Sequence, residues 1–150
     1  MLLDGVNHVA VVTTDSHRLA TFYREVFDAD VGATVSGPPG MRLTFVHIGP
    51  HTELNVFELP EGAAEPDRSS MFGRGALDHL GLHAASKEAF DEIRRRLIER
   101  RATDGFVTDF GPYLSVFFRD PDGLECEVLC VNPDAVPGVT NPPGTPAKGY

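Results

Sequence analysis

The feature that most constrains this chain is that it says the same thing twice. The stretch GVNHVAVVTT, residues 5–14, is Val-rich and reads as a strand ending at Asp15. From Ser16 the apolar spacing changes: Leu19, Phe22, Tyr23, Val26 and Phe27 mark one face of a helix, with Asp15 as its N-cap. Three short strands are predicted next, around Ala33, over 42–48 and over 53–59, punctuated by SGPPG and IGPH. The second half repeats the order. LDHLGLHA, residues 77–84, is a strand and Ser86 an N-cap; a helix follows with Phe90, Ile93, Leu97 and Ile98 on one face. Strands are then predicted over 106–110, 114–119 and 124–131. Each half therefore reads strand, helix, three strands, an α+β organisation of two βαβββ modules.

The expected layout is a single domain over 1–150: module one at about 5–59, a linker at 60–75, module two at about 76–131 and a Pro/Gly-rich tail at 132–150. A tail of that composition, taken alone, reads as disordered. If it is ordered, it must pack on its own domain or on a neighbouring subunit.

A repeat that keeps polar residues in register is informative. His8 and His79 stand 71 residues apart in the two first strands, and Glu58 and Glu127 stand 69 apart in the two last ones. A lone His in an apolar strand is usually a hydrogen-bonded core residue. Two His and two Glu at matched places favour ligation of a divalent cation, because imidazole and carboxylate suit Zn, Ni, Fe, Co or Mn and a cation offsets buried carboxylates. No HExxH or CxxC accompanies them. Glu53, five residues before Glu58, is expected on the opposite face and becomes the rival if the register differs. His83 shares a strand face with His79, and Glu125 with Glu127. Glu125 is expected nearer the rim and the water. The five arginines between Arg94 and Arg101 read as a solvated helix face.

Charge and cysteine content narrow the function classes. A net charge of −9 argues against non-specific binding to nucleic acid or anionic membrane. MLLDG has neither a basic n-region nor a long apolar run, so neither a signal peptide nor a membrane span is expected. Cys126 and Cys130, four apart on one strand, would stand about 13 Å from each other, too far to bridge. A cytoplasmic location is the expectation.

The residues VNHVAVVTTD with FYREVF, then LDHLGLH, then FRDPDGLECEVL resemble the vicinal oxygen chelate superfamily, also called the glyoxalase/bleomycin-resistance/dioxygenase group. The resemblance runs from about residue 5 to 130. It implies two βαβββ modules forming a half-open mixed β-sheet barrel with flanking helices around a divalent metal. Carried over by position, the ligands would be His8, Glu58, His79 and Glu127, with Glu58 and Glu127 as candidate catalytic bases. Open coordination sites would take two adjacent oxygens of a small-molecule substrate. Members often form homodimers. The function implied is a glyoxalase-like isomerase, epimerase or lyase. The alternative is a non-catalytic drug- or metabolite-binding protein whose cavity is lined by Phe45, Phe57 and Phe117. Ring-cleaving dioxygenase chemistry is disfavoured: Phe117 stands where such members carry Tyr, and no His lies between Phe106 and Asp120. Tyr113 is expected at the cavity mouth as a hydrogen-bond donor, or as a half-buried loop aromatic.

Overall fold

The computed structural model describes residues 2, 5–36, 40–59 and 77–150; the expected linker lies outside them. The chain divides into two compact units, 1–68 and 69–150. In the first, β1 (His8–Thr13), α1 (Ser16–Phe27), β2 (Asp30–Ser36), β3 (Arg42–His47) and β4 (Glu53–Glu58) follow one another. In the second come β5 (Leu80–His83), α2 (Lys87–Glu99), β6 (Val107–Asp109), β7 (Tyr113–Arg119) and β8 (Glu125–Val131). Each unit is thus a βαβββ module, as expected, and each sheet is open, mixed and four-stranded. The strand orders are β1-β4-β3-β2 and β5-β8-β7-β6. In both, the first strand lies parallel beside the last and the rest is antiparallel.

Capping chemistry starts both helices where the sequence indicates. The Asp15 carboxylate accepts the Arg18 N–H at 2.9 Å, and Ser86 Oγ accepts that of Ala89 at 3.1 Å. Each cap satisfies a backbone donor that has no partner within its helix. One face of each sheet packs on its helix. In module one Leu19, Tyr23 and Val26 of α1 are fully buried, as are Val46, Leu54 and Val56 of the sheet. In module two Phe90 and Leu97 of α2 are buried with Cys126, Val128 and Cys130 of β8. Burying one such large side chain contributes about 1.5–3 kcal/mol. The two cysteines are buried and form no disulfide with each other. Ile98, expected on the buried face, is instead 41% exposed, its side chain lying against Gly105.

The DPDG turn fixes how β8 enters module two. Asp120 Oδ1 accepts N–H bonds from Asp122 (2.9 Å) and Leu124 (2.8 Å), while Gly123 supplies the positive φ of 78°. The tail packs on its own module. Pro146 bridges Thr108, and N–H bonds run from Asp109 to the Thr145 carbonyl and from Ala147 to the Val107 carbonyl, at 2.8 and 3.0 Å. The tail thereby covers the outer edge of β6. Tyr150 ends it over α2, its hydroxyl donating to Asp91 at 2.6 Å.

Candidate functional site

Strand alternation divides each sheet into a helix-packed face and an open one. In module one the ladders join His8, Glu53 and His47 into one rung, Ala10, Asn55 and Phe45 into the next alternate rung, and Val12, Phe57 and Leu43 into a third. All of these project from the open face, since Leu54 and Val56 between them are the buried, helix-packed residues. In module two the corresponding rungs are Gly81, Glu127 and Phe117, then His83, Leu129 and Ser115. His79 lies two residues before Gly81, just ahead of the first β5–β8 pair, Leu80 with Cys126; Glu125 pairs with Arg119.

These registers change the expected match between the modules. Aligned through His8 and His79, the counterpart of Glu127 is Asn55, and the counterpart of Glu125 is Glu53. Glu58 pairs with Thr13 at the far end of β4 and lies on the helix-packed face. Matching Glu58 to Glu127 shifts the strand by three residues, and an odd shift exchanges the two faces of a sheet. Glu53 is indeed on the face opposite Glu58, and it is the one shared with His8. It stands 3.4 Å from His47 Nδ1, just as Glu125 stands 2.8 Å from Arg119 Nε. The charge of Glu125 is thus held by an arginine in a rung that recurs in both modules.

Glu58 is engaged locally. Its Oε2 accepts the Ser16 N–H at 2.9 Å and the Ser16 hydroxyl at 2.5 Å, and Arg42 donates to Oε1. The Ser16 bonds, hydroxyl first, outweigh burial and with Arg42 hold the Glu58 carboxyl below its ordinary value. A carboxylate at the start of α1 also complements the positive end of that helix.

His79 and Glu127 do come together. Nε2 of His79 lies 3.4 Å from Glu127 Oε2, and Glu127 is only 7% exposed. Ser115, fully buried, donates its hydroxyl to the other oxygen of Glu127. Asp78 Oδ2 accepts from His79 Nδ1 at 2.8 Å, and the ring meets Phe117 edge-on at 5.5 Å. An ionised carboxylate only accepts, so Nδ1 donates its hydrogen to Asp78 and Nε2 is the ring atom turned toward Glu127. In module one Asn7 Oδ1 orients His8 through Nδ1 at 2.8 Å in the same way. A lone pair facing a carboxylate needs a second ring proton or a cation between them. The separation suits a cation: two ligand atoms each about 2.1 Å from a metal, at a tetrahedral angle, stand about 3.4 Å apart. A carboxylate behind a ligating imidazole is the usual orienting partner. Among the described residues no group of three or more His, Cys, Asp or Glu side chains is gathered tightly enough to hold a metal. The pair is therefore what module two itself offers.

Sequence reasoning gave no role beside His8, His79 or Glu127 to Asn55, Ser115 or the orienting Asp78 and Asn7. Asn55 Oδ1 is buried without a hydrogen-bond partner among the described residues. Counting outward from the two helix caps, Asp15 and Ser86, sets β1 against β5 at an offset of 71, whereas the matched residues of β4 and β8 stand 72 apart, one residue more than the caps alone would give. His83 and Tyr113 both lie on the open face of module two and meet edge-to-face at 6.4 Å. Tyr113 is 44% exposed.

The sequence profile of the Glyoxalase/Bleomycin resistance protein/Dioxygenase superfamily matches residues 5–128. No curated protein matches significantly. Solved structures with the same fold include a glyoxylase/bleomycin resistance protein/dioxygenase domain from Frankia sp. EAN1pec, 22% identical, with TM-score 0.70 over 87% of this chain and 99% of that one. A glyoxalase family protein from Enterococcus faecalis is 26% identical, with TM-score 0.65 over 86% and 99%. The fosfomycin resistance protein FosX from Listeria monocytogenes, solved with Mn(II) and sulfate, is 14% identical, with TM-score 0.61 over 87% and 95%. No helix among the described residues is long and apolar enough to cross a membrane.

Proposed function

Because the chain belongs to the Glyoxalase/Bleomycin resistance protein/Dioxygenase superfamily, we propose that it is a metal-dependent enzyme of glyoxalase type, an isomerase, epimerase or lyase acting on a small substrate with adjacent oxygens. The observation that carries this reading is His79 Nε2 facing Glu127 Oε2 at 3.4 Å, with Asp78 behind the ring and Ser115 behind the carboxylate. That FosX, a structural relative, was solved with Mn(II) supports a divalent cation here.

In this proposal His79 and Glu127 are the protein ligands that module two supplies; in module one Asn7 orients His8 as Asp78 orients His79. Glu58 was also expected as a ligand and base, but its bonds to Ser16 and Arg42 favour a role in holding the start of α1. A bound cation would supply Lewis-acid stabilisation of negative charge on a substrate oxygen. Ser115 keeps one oxygen of Glu127 fixed, leaving Oε2 as the atom that would accept a proton from carbon. Phe117 packs against His79 and restricts water at that edge. A homodimer and a cytoplasmic location belong to the same reading.

A second reading has an observation of its own: Phe45, Phe57 and Phe117 all project from open faces, as a non-catalytic drug- or metabolite-binding protein would need. Metal content separates the two. Purified protein equilibrated with Mn, Ni, Zn or Fe and then desalted should retain about one ion per chain, and His79→Ala and Glu127→Gln should each lower its affinity at least tenfold. Wild-type protein that retains none would favour the binding-protein reading.

A further inference from the structure

Where the two modules differ on their open faces, the polar groups and the free space gather in module two. Across matched rungs, Ala10 is replaced by Gly81, Val12 by His83, Leu43 by Ser115 and Asn55 by Glu127. The Ser115 and Glu127 replacements are accounted for by the hydrogen bond between them. Gly81 and His83 have no part in that arrangement.

The backbone does not require Gly81. It is not in the left-handed region, and a Cβ there would meet only Leu129 Cδ1 at 3.4 Å and Glu127 Oε2 at 3.8 Å, ordinary contacts. Glycine within a strand costs about 0.5–1 kcal/mol relative to alanine and often marks a site of close approach. Gly81 is exposed, and its missing side chain leaves an opening flanked on one strand by His79 and His83 and on the next by Glu127. Gly81 pairs with Glu127, so His79 and His83, two residues to either side, flank Glu127 on the diagonals of this parallel pair. His79 uses one such diagonal to meet Glu127; His83 lies on the other. The ring of His83 is oriented by its Nδ1, which donates to the Ala84 carbonyl at 2.9 Å. With Nδ1 the donor, Nε2 is the acceptor of the neutral ring, on the open face. Tyr113 and Leu129 supply apolar surface beside it.

We propose that Gly81 is the floor of a ligand notch and that His83 Nε2 accepts a hydrogen bond from a hydroxyl of the ligand, a small, flat molecule with that hydroxyl next to a second oxygen. The inference rests on the proposed function, because the second oxygen is the one directed to the cation at His79 and Glu127. His83 is in this sense a specificity-determining residue.

The test uses full-length protein equilibrated with Mn(II), its metal content measured first, and titrated with 4-nitrocatechol and with the monomethyl ether of that compound. Absorbance reports binding. Gly81→Val should weaken nitrocatechol binding at least tenfold, and Gly81→Ala by a smaller factor, with metal content unchanged and melting temperature no lower than that of wild type. His83→Ala should lower the ratio of nitrocatechol to ether affinity about tenfold, because the hydroxyl loses its acceptor. Unchanged affinities in Gly81→Ala and Gly81→Val, or an unchanged ratio in His83→Ala, would overturn the notch or the role of His83 respectively. Wild-type protein that holds Mn(II) but takes up no nitrocatechol counts against this inference alone. Protein that holds no Mn(II) counts against the proposed function and the inference together.

Discussion

Asn55 occupies in module one the place that Glu127 occupies in module two: each is the centre of a three-strand rung, flanked by Ala10 and Phe45 or by Gly81 and Phe117. Glu127 has a donor in Ser115, whereas Asn55 Oδ1 is buried with none among the described residues. An unsatisfied buried acceptor costs about 1–3 kcal/mol. Asn55→Val removes it and suits a strand, so the variant should be about 1 kcal/mol more stable by urea unfolding. A loss of stability would mean that the amide has a partner in solution.

Ser115→Ala leaves one oxygen of a nearly buried carboxylate without its donor. Hydrogen bonds to charged groups contribute about 1.5–3 kcal/mol. The variant should lose about 2 kcal/mol in urea unfolding of metal-free protein, and Ser115→Ala combined with Glu127→Gln should lose less than the two single changes together.

The acid behaviour of Glu58 has a definite sign. Its carboxyl lies below the ordinary 4.5, chiefly through the Ser16 hydroxyl and N–H. A depressed value in the folded state adds stability at pH above the unfolded value, and that contribution disappears as pH falls through the folded value. Glu58→Gln should therefore be about 1–2 kcal/mol less stable than wild type at pH 7. The gap should close below pH 4.5, as followed by thermal unfolding across pH. Metal content should be unaltered; its loss would restore Glu58 to the ligand set.

Tyr150 gives the opposite sign. Burial first, and then the bond to Asp91, raise its hydroxyl above the ordinary 10.0. The neutral form is the one favoured by folding, so its contribution is complete below that value and is lost as pH rises through the folded one. Tyr150→Phe should be about 1 kcal/mol less stable at pH 7, with the difference shrinking above pH 10. Tyr150→Ala also removes the ring from between Lys87 and Arg94 and should speed amide exchange at Ala147 and Asp109.

The module plan was legible because helix and strand periods differ and both helix caps are acidic or hydroxylic residues ahead of an apolar stripe. The His8–His79 match was legible for the same reason, since each lies a fixed distance before its cap. The strand register was not. NVFELP and CEVLC look alike at their glutamates, yet β4 ends at Glu58 while β8 continues four residues past Glu127 to Val131, so matching the letters set the wrong ends together. Only cross-strand pairing reveals that Glu53 answers to Glu125 through the parallel bases His47 and Arg119. The tail was illegible for a different reason: its order comes from backbone bonds to β6, which composition does not encode. At Gly111 the Val139 carbonyl passes so close that a Cβ would stand 2.3 Å from its oxygen.

The offset between the modules makes the molecule its own control experiment. Module one offers the same strands, the same helix-packed rows and an equivalently oriented histidine, but a mostly apolar surface where module two concentrates its reactive side chains. Transplanting that surface by Ala10→Gly, Val12→His, Leu43→Ser and Asn55→Glu would ask whether those four substitutions suffice to confer the proposed cation affinity on module one. In the reverse direction, the module-one residues placed on module two would remove the side chains that the proposed site needs while keeping its strands.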